Sequence, residues 1–196
     1  IILLTADDAD SLLPSISSRC RTIALRPLGS ETIEQNLMTQ WGVAPDDALL
    51  LAHLADGRPG WAIEASEHEQ ILQTRQQNLN QLHEALEGKR VRRFVLAEKL
   101  SRNPGKLPQL LRTWLSWWRD LSLVAYGQGT VNPSVPISNI DQQRVLEDLA
   151  GVWSTESIVQ NLAATGQAIQ YLSQNANTRL VMENLLLGYP LSGDEF

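Results

Sequence analysis

The side chains with the clearest capacity for chemistry lie near the start of the chain, where Ser18, Arg19 and Cys20 follow an acidic turn. An arginine is always charged, and its planar fork of donors matches the oxygens of a phosphate group. The same fork stabilises the charge that develops when a phosphoryl group is transferred. Arginine chemistry alone leaves open the role of Arg19 and of its neighbours Ser18 and Cys20. The alternative to a phosphate contact is that Arg19 is one surface arginine among several.

The sequence does not favour a metal site. Cys20 is the only cysteine, which excludes an internal disulfide and a zinc site built from several thiolates. The three histidines are fifteen residues apart and lack the spacing of paired ligands: His53, His68 and His83. Three aspartates fit a turn with helix-capping acids better than a calcium loop, since no glycine pattern follows them: Asp7, Asp8 and Asp10. We expect no bound metal.

Helices predominate among the predicted elements. Residues 1–5 form an apolar run that predicts a buried strand, and residues 21–28 alternate in a way that could add a short second strand. A lone strand cannot satisfy its backbone groups, and the chain begins without Met, so we expect it to be the C-terminal part of a longer protein. Proline and glycine positions predict successive helices, which begin near residues 30, 45, 59, 91, 108, 140, 155 and 176.

Residues 4–20 resemble the end of the ATPase core of AAA+ clamp-loader subunits of replicative DNA polymerases. An apolar run and an acidic turn lead through Leu-Leu-Pro-Ser-Ile to Ser-Arg-Cys, in that order. The resemblance implies that Arg19 is an arginine finger, which reaches in trans to the γ-phosphate of ATP bound by a neighbouring subunit. It implies that Cys20 is a buried structural thiol. It also places Thr5 and Ala6 in the region called sensor 1.

The resemblance further implies a mainly α chain in three parts. Residues 1–27 would be the C-terminal end of the AAA+ α/β core, including the sensor-1 strand and the Ser-Arg-Cys motif. Residues 28–67 would be a three-helix lid. Residues 68–196 would be an all-helical collar that holds the subunits of the loader together.

Two departures from the ATP-hydrolysing members of this family concern nucleotide sensing. Their lid carries an arginine that senses the subunit's own nucleotide. Here the matching position is Gly60, while Arg58 stands before the proline. Ala6 stands at about the position where those members have a polar sensor. Both departures favour a subunit that does not turn over ATP of its own.

The expected partners follow from the same resemblance. The chain itself would bind no cofactor, and the only nucleotide that it contacts would be the ATP of a neighbour. Residues 68–196 would bind other loader subunits, and the assembled loader would act on the sliding clamp and primed DNA. No apolar run reaches the length of a membrane span, so we expect a cytoplasmic protein without membrane contact. Two other classes stay open, namely a truncated ATP-hydrolysing subunit and a helical DNA-binding module.

Charge and aromatic residues define two further candidate surfaces. Residues 89–119 carry nine basic side chains and one acid, whereas residues 29–88 carry ten acids and two bases. The basic block could be a solvated face, a contact with an acidic neighbouring subunit or a DNA contact. Trp114, Trp117 and Trp118 share one face of a predicted helix. This face could belong to the core or a subunit contact, or it could stack on single-stranded DNA.

Overall fold

The computed structural model describes residues 2–6, 12–127 and 137–190, and the described chain is mainly α-helical. Ten α-helices occur in these ranges: α1 Pro14–Ser17, α2 Ser30–Trp41, α3 Pro45–Leu54, α4 Pro59–Glu67, α5 Glu69–Glu87, α6 Arg90–Ser101, α7 Leu107–Tyr126, α8 Gln143–Ala150, α9 Thr155–Ser173 and α10 Thr178–Gly188. Two single turns of 3₁₀ helix, Pro104–Lys106 and Ile140–Gln142, precede α7 and α8. The predicted mainly α class is thus confirmed.

The two predicted strands are wrong for the residues that the structure describes. Residues 2–6 and 21–28 have no regular secondary structure, and all of them are exposed. A strand requires a neighbouring segment to pair its backbone groups. The one backbone hydrogen bond from residues 21–28 to a distant described segment runs from Leu28 N–H to the carbonyl of Gly57, at 3.0 Å. The apolar pattern therefore predicted strands that have no pairing partner here.

The first helical unit consists of α2, α3 and α4. Helix α2 ends at Trp41 and is followed by Gly42, whose φ of 65° is the left-handed conformation that commonly closes a helix. Pro45 and Pro59 each occupy the first turn of their helices, where the missing N–H is not needed. The unit has its own small core, and its many alanines allow the helices to approach closely: Ile33, Leu37, Ala48, Leu51, Ala52, Ala55, Ala62 and Ala65.

The second helical unit consists of α5 to α10. Helix α7 lies at its centre and packs against α5, α8 and α9, while α6 packs against α10. Its core contains three fully buried indoles together with leucines from α5, α6, α7, α8 and α10. Helix α5 touches both cores, because Ile71 and Leu72 pack against the first and Leu79 and Leu82 belong to the second.

The described helices can also be compared with the length and hydropathy of a membrane-spanning helix. None of the helices within them combines the length and the apolar character that crossing a bilayer requires.

Candidate functional site

The Arg19 segment is a short helical turn that projects an exposed arginine. Pro14 starts α1, and the following turn is closed by hydrogen bonds from the Arg19 N–H to the Ile16 carbonyl (3.0 Å) and from the Cys20 N–H to the Ser17 carbonyl (3.2 Å). The Arg19 side chain is exposed and forms no hydrogen bond or ion pair with any residue that the structure describes. Its guanidinium is therefore available to an anion from another molecule.

The residues next to Arg19 are exposed, although the resemblance implies that one of them, Cys20, is buried. Cys20 is exposed rather than buried, as are all of residues 18–28. Ser18 is exposed as well. Thr5 and Ala6 are exposed at the end of the segment 2–6. The three aspartates of the acidic turn lie outside the described residues: Asp7, Asp8 and Asp10.

The predicted sensor-2 region lies at the junction of α3 and α4. Arg58 precedes α4, and its Nε donates a hydrogen bond to the carbonyl of Ala55 at 3.0 Å, just after the last turn of α3. A cation at this end of a helix is favourable, since the carbonyls there carry partial negative charge. Gly60 lies in the first turn of α4, and a Cβ built on it would meet no atom within 4 Å. Packing therefore does not require glycine at this position.

A buried carboxylate that the sequence did not predict organises the connection between the two units. Asp120 on α7 is fully buried. Its Oδ2 accepts hydrogen bonds from the backbone N–H groups of Ser138 (2.9 Å) and Asn139 (2.6 Å), and from the Asn139 side-chain amide (2.7 Å). Its Oδ1 accepts no hydrogen bond from the described residues, and Arg119 Nη1 lies 3.8 Å from it. Asp120 thus fixes the start of the segment 137–142.

The segment 137–142 also contacts the first helical unit. The Ile137 carbonyl lies 2.9 Å from His53 Nδ1 on α3. Asp56, just after α3, accepts hydrogen bonds from Arg119 (3.1 Å) and from the Ser138 hydroxyl (3.3 Å). The hydroxyl also accepts one from Arg119, at 3.2 Å. We call residues 137–142 the bridging segment, because it joins α3 to α7.

Helix α5 holds the other end of the bridging segment. The Arg75 guanidinium donates to both carboxylate oxygens of Asp141 (2.7 and 2.8 Å) and to the side-chain oxygen of Asn139 (2.7 Å). A bidentate arginine–carboxylate pair fixes direction as well as distance. The bridging segment is therefore hydrogen-bonded to α3, α5 and α7.

Replacing Asp120 tests this connection. Asp120→Ala leaves two buried backbone N–H groups without an acceptor, and each such group costs about 1–3 kcal/mol. Asp120→Asn keeps an acceptor oxygen, so we expect it to lose much less stability. Urea unfolding of the three proteins at neutral pH measures the difference. Equal stability of the Ala and Asn variants would contradict the role assigned to Asp120.

The pH dependence of the same carboxyl gives a second readout. Burial raises the pKa of Asp120, although hydrogen bonds from Asn139 and Ser138 and the charge of Arg119 oppose that rise. The folded state therefore binds the proton of the Asp120 carboxyl more tightly than the unfolded chain does. The stability that this difference contributes to the folded state is complete below the ordinary pKa of an aspartate, and it disappears as the pH rises through the raised pKa. As the pH rises above about 4, the ordinary pKa of an aspartate, wild type should lose stability relative to Asp120→Asn. A constant difference would contradict the raised pKa.

The three tryptophans are core residues, which agrees with the interpretation that their shared face belongs to the core. Trp114, Trp117 and Trp118 are all 0% exposed. The Trp114 Nε1–H donates to the Asn78 carbonyl at 2.7 Å. The Trp118 ring lies 5.2 Å from the ring of Tyr189, whose pKa is raised to about 12 chiefly by burial. Fully buried indoles cannot stack on a nucleic-acid base, so the single-stranded DNA interpretation of this face is wrong.

The basic block divides into one buried arginine and a mostly exposed remainder. Arg93 is 2% exposed. Its guanidinium donates to the carbonyls of Gly88 (2.8 Å), Leu186 (3.0 Å) and Pro190 (2.6 Å), and also to that of Tyr189. Arg93 thus ties the start of α6 to the end of α10. Arg119 is half-buried, and the other seven basic residues of the block are exposed: Lys89, Arg90, Arg92, Lys99, Arg102, Lys106 and Arg112.

The comparisons with known proteins find no match, either among protein-family models or among curated proteins. Within the part of the chain that the structure describes, no group of three or more His, Cys, Asp or Glu side chains could hold a metal ion. The candidate sites of the described chain are the exposed Arg19 and the exposed bases of α6.

Proposed function

We propose that this chain is the C-terminal portion of a delta-prime-type subunit of a bacterial DNA polymerase III clamp loader. In this proposal the subunit assembles with the other loader subunits, gamma or tau and delta, and the complete loader places the sliding clamp on primed DNA. The chain itself hydrolyses nothing. It contributes Arg19 to an ATP site on its neighbour.

The observation that carries the proposal is the exposed, unpaired guanidinium of Arg19 at the end of a motif that resembles the family's Ser-Arg-Cys. An arginine that acts in trans must be accessible and must not be engaged by its own chain. Arg19 meets both requirements among the described residues. Its fork of donors suits a γ-phosphate and the charge that develops on it.

The two hydrophobic cores support the assignment of the lid and the collar. One core lies within residues 33–65 and the other within residues 79–189. A boundary near residue 68 agrees with both, since His68 has an extended backbone (φ −129°) between α4 and α5. This arrangement is what a three-helix lid followed by a helical collar requires.

The lack of sensing residues supports a subunit that does not turn over its own ATP. Arg58 lies before α4 and donates a hydrogen bond to the Ala55 carbonyl at the end of α3. Gly60, within α4, offers no side chain to a nucleotide. Because nothing within 4 Å would obstruct a side chain at Gly60, the glycine there is not a packing requirement. Its presence agrees with the loss of a sensing function.

Assembly is the experiment that tests the proposal. We expect the chain to co-elute with the gamma and delta subunits of the same organism in size-exclusion chromatography with light scattering. A fluorophore on Cys20, the only cysteine and an exposed one, reports binding independently of mass. If the chain elutes separately from each loader subunit with which it is mixed, the proposal is wrong. Tight DNA binding with a steep salt dependence would instead favour the DNA-binding module.

A further inference from the structure

Helix α6 presents an apolar strip to solvent on the side opposite its packed face. Its packed face consists of Arg93, Leu96, Ala97 and Leu100, all buried, and it lies against α10. On the opposite side Val91 is 76% exposed and Val95 is 62% exposed, four residues apart and therefore one turn above each other. Phe94 lies on the flank of this strip and is 43% exposed. A helix that is apolar on both sides normally has a partner on each.

Positive charge surrounds this strip. Arg92 and Lys99, seven residues apart, share one flank of the helix, and Arg90 lies with Phe94 on the other. All three bases are exposed. Glu98 is the only acid of the helix; it lies in line with Val91 and Val95, and Arg102 donates to it at 3.0 Å. The surface thus combines exposed apolar side chains with two bases on one flank and one on the other, and none of the three pairs with an acid among the described residues.

We propose that this α6 surface binds an acidic amphipathic helix of a partner protein. Apolar side chains of the partner would pack on Val91, Phe94 and Val95. Its carboxylates would meet the bases on both flanks. This inference goes beyond the proposed function and does not depend on it, because it uses only the chemistry of α6.

The apolar strip favours a protein partner over DNA. Contacts to DNA phosphates require basic side chains but gain nothing from exposed valines. A helix that docks on another helix, by contrast, buries apolar residues at a spacing of three and four. Electrostatic complementarity on the flanks would set orientation and speed of association. The two features together fit an acidic helix.

The surface is held in place before any partner arrives. Arg93, at the centre of the packed face, donates to the carbonyl of Gly88 just before α6 and to those of Leu186 and Pro190 at the end of α10. The start of α6 is thereby fixed to a second helix. A preformed surface loses less conformational freedom on binding than a flexible one.

The test uses a labelled helical peptide of about sixteen residues, roughly four turns, with leucines along one face and glutamates on its flanks. Its control is a peptide of the same composition in which the leucines are scattered. We expect fluorescence anisotropy to show saturable binding of the first peptide, and affinity at least about tenfold lower for the second. Equal binding of both peptides, or binding of neither, would overturn the proposal.

Two matched pairs of variants locate the binding site. Val91→Ser should weaken peptide binding about tenfold, whereas Val152→Ser, equally exposed at 76% in the turn before α9, should leave it unchanged. Arg92→Glu should weaken binding by at least about tenfold, whereas Arg112→Glu on α7 should not. Circular dichroism verifies that each variant folds. Equal effects of the two variants within a pair would contradict the acidic-helix assignment. So would duplex DNA that displaces the peptide equally well from the wild type and from Val91→Ser.

Discussion

Trp118→Ala should lower the free energy of unfolding by about 3–5 kcal/mol, the range measured when a large aromatic side chain is removed from a packed core. The Trp118 ring is fully buried and lies within 6 Å of three other rings: Trp117 at 5.2 Å, Tyr189 at 5.2 Å and Trp153 at 5.7 Å between centroids. Its removal leaves a cavity that these rings cannot fill without moving. Urea denaturation followed by circular dichroism measures the loss.

Trp41→Ala is the matched control, because Trp41 lies at the end of α2 and is 41% exposed. Its loss of burial is smaller, and we expect a cost of about 1 kcal/mol. If Trp118→Ala and Trp41→Ala unfold at the same urea concentration, the central position of Trp118 in the second core is wrong.

The helices were predictable from the sequence because their limits are set by local chemistry. Gly29 caps α2, which begins at Ser30, and Pro45 and Pro59 start α3 and α4 where the sequence predicts starts. The buried face of α7 was predictable for the same reason. Apolar residues at helical spacing, tryptophans included, must face a core, and no distant part of the chain is needed to reach that conclusion.

The predicted strands failed because strand formation depends on a partner that is not local. An apolar run such as residues 2–6 is compatible with a strand but does not supply the neighbouring backbone that a strand requires. The burial expected of Cys20 failed in the same way, since burial depends on what covers the segment. In the structure, residues 18–28 are all exposed.

The bridging segment could not have been predicted, since its partners are far apart in the sequence. Arg119 pairs with Asp56 across 63 residues, and Arg75 pairs with Asp141 across 66. In the sequence these four are ordinary charged residues. The one available signal was Asp120, an acid between Trp118 and Leu121 on the apolar face of α7, where a charge requires partners.

If the proposed function is correct, Arg19→Ala should abolish most ATP hydrolysis at one site of the assembled loader while leaving the subunit folded and assembled. Arg19 is exposed and unpaired with any described residue, so its loss removes no contact that stabilises the fold. Removal of an arginine finger lowers the rate at the affected site by roughly 10³–10⁵-fold. The total rate should fall only in part, because the remaining ATP sites keep their own fingers.

Two variants separate the finger from a general effect of charge. Arg19→Lys keeps the positive charge but loses the planar fork, so we expect it to hydrolyse no better than Arg19→Ala. Arg26→Ala removes another exposed arginine from the same segment and should leave hydrolysis unchanged. Full rescue by lysine would mean that charge alone is required. An equal loss with Arg26→Ala would assign the effect to the segment as a whole.

The most direct measurement is single-turnover ATP hydrolysis by loaders reconstituted with the full-length protein as wild type, Arg19→Ala, Arg19→Lys or Arg26→Ala. Light scattering first establishes that all four loaders contain the same subunits. We expect both Arg19 variants to lose the fast phase of one ATP site and Arg26→Ala to keep every phase. Unchanged hydrolysis at every site with Arg19→Ala would contradict the claim that Arg19 acts on a neighbour's ATP.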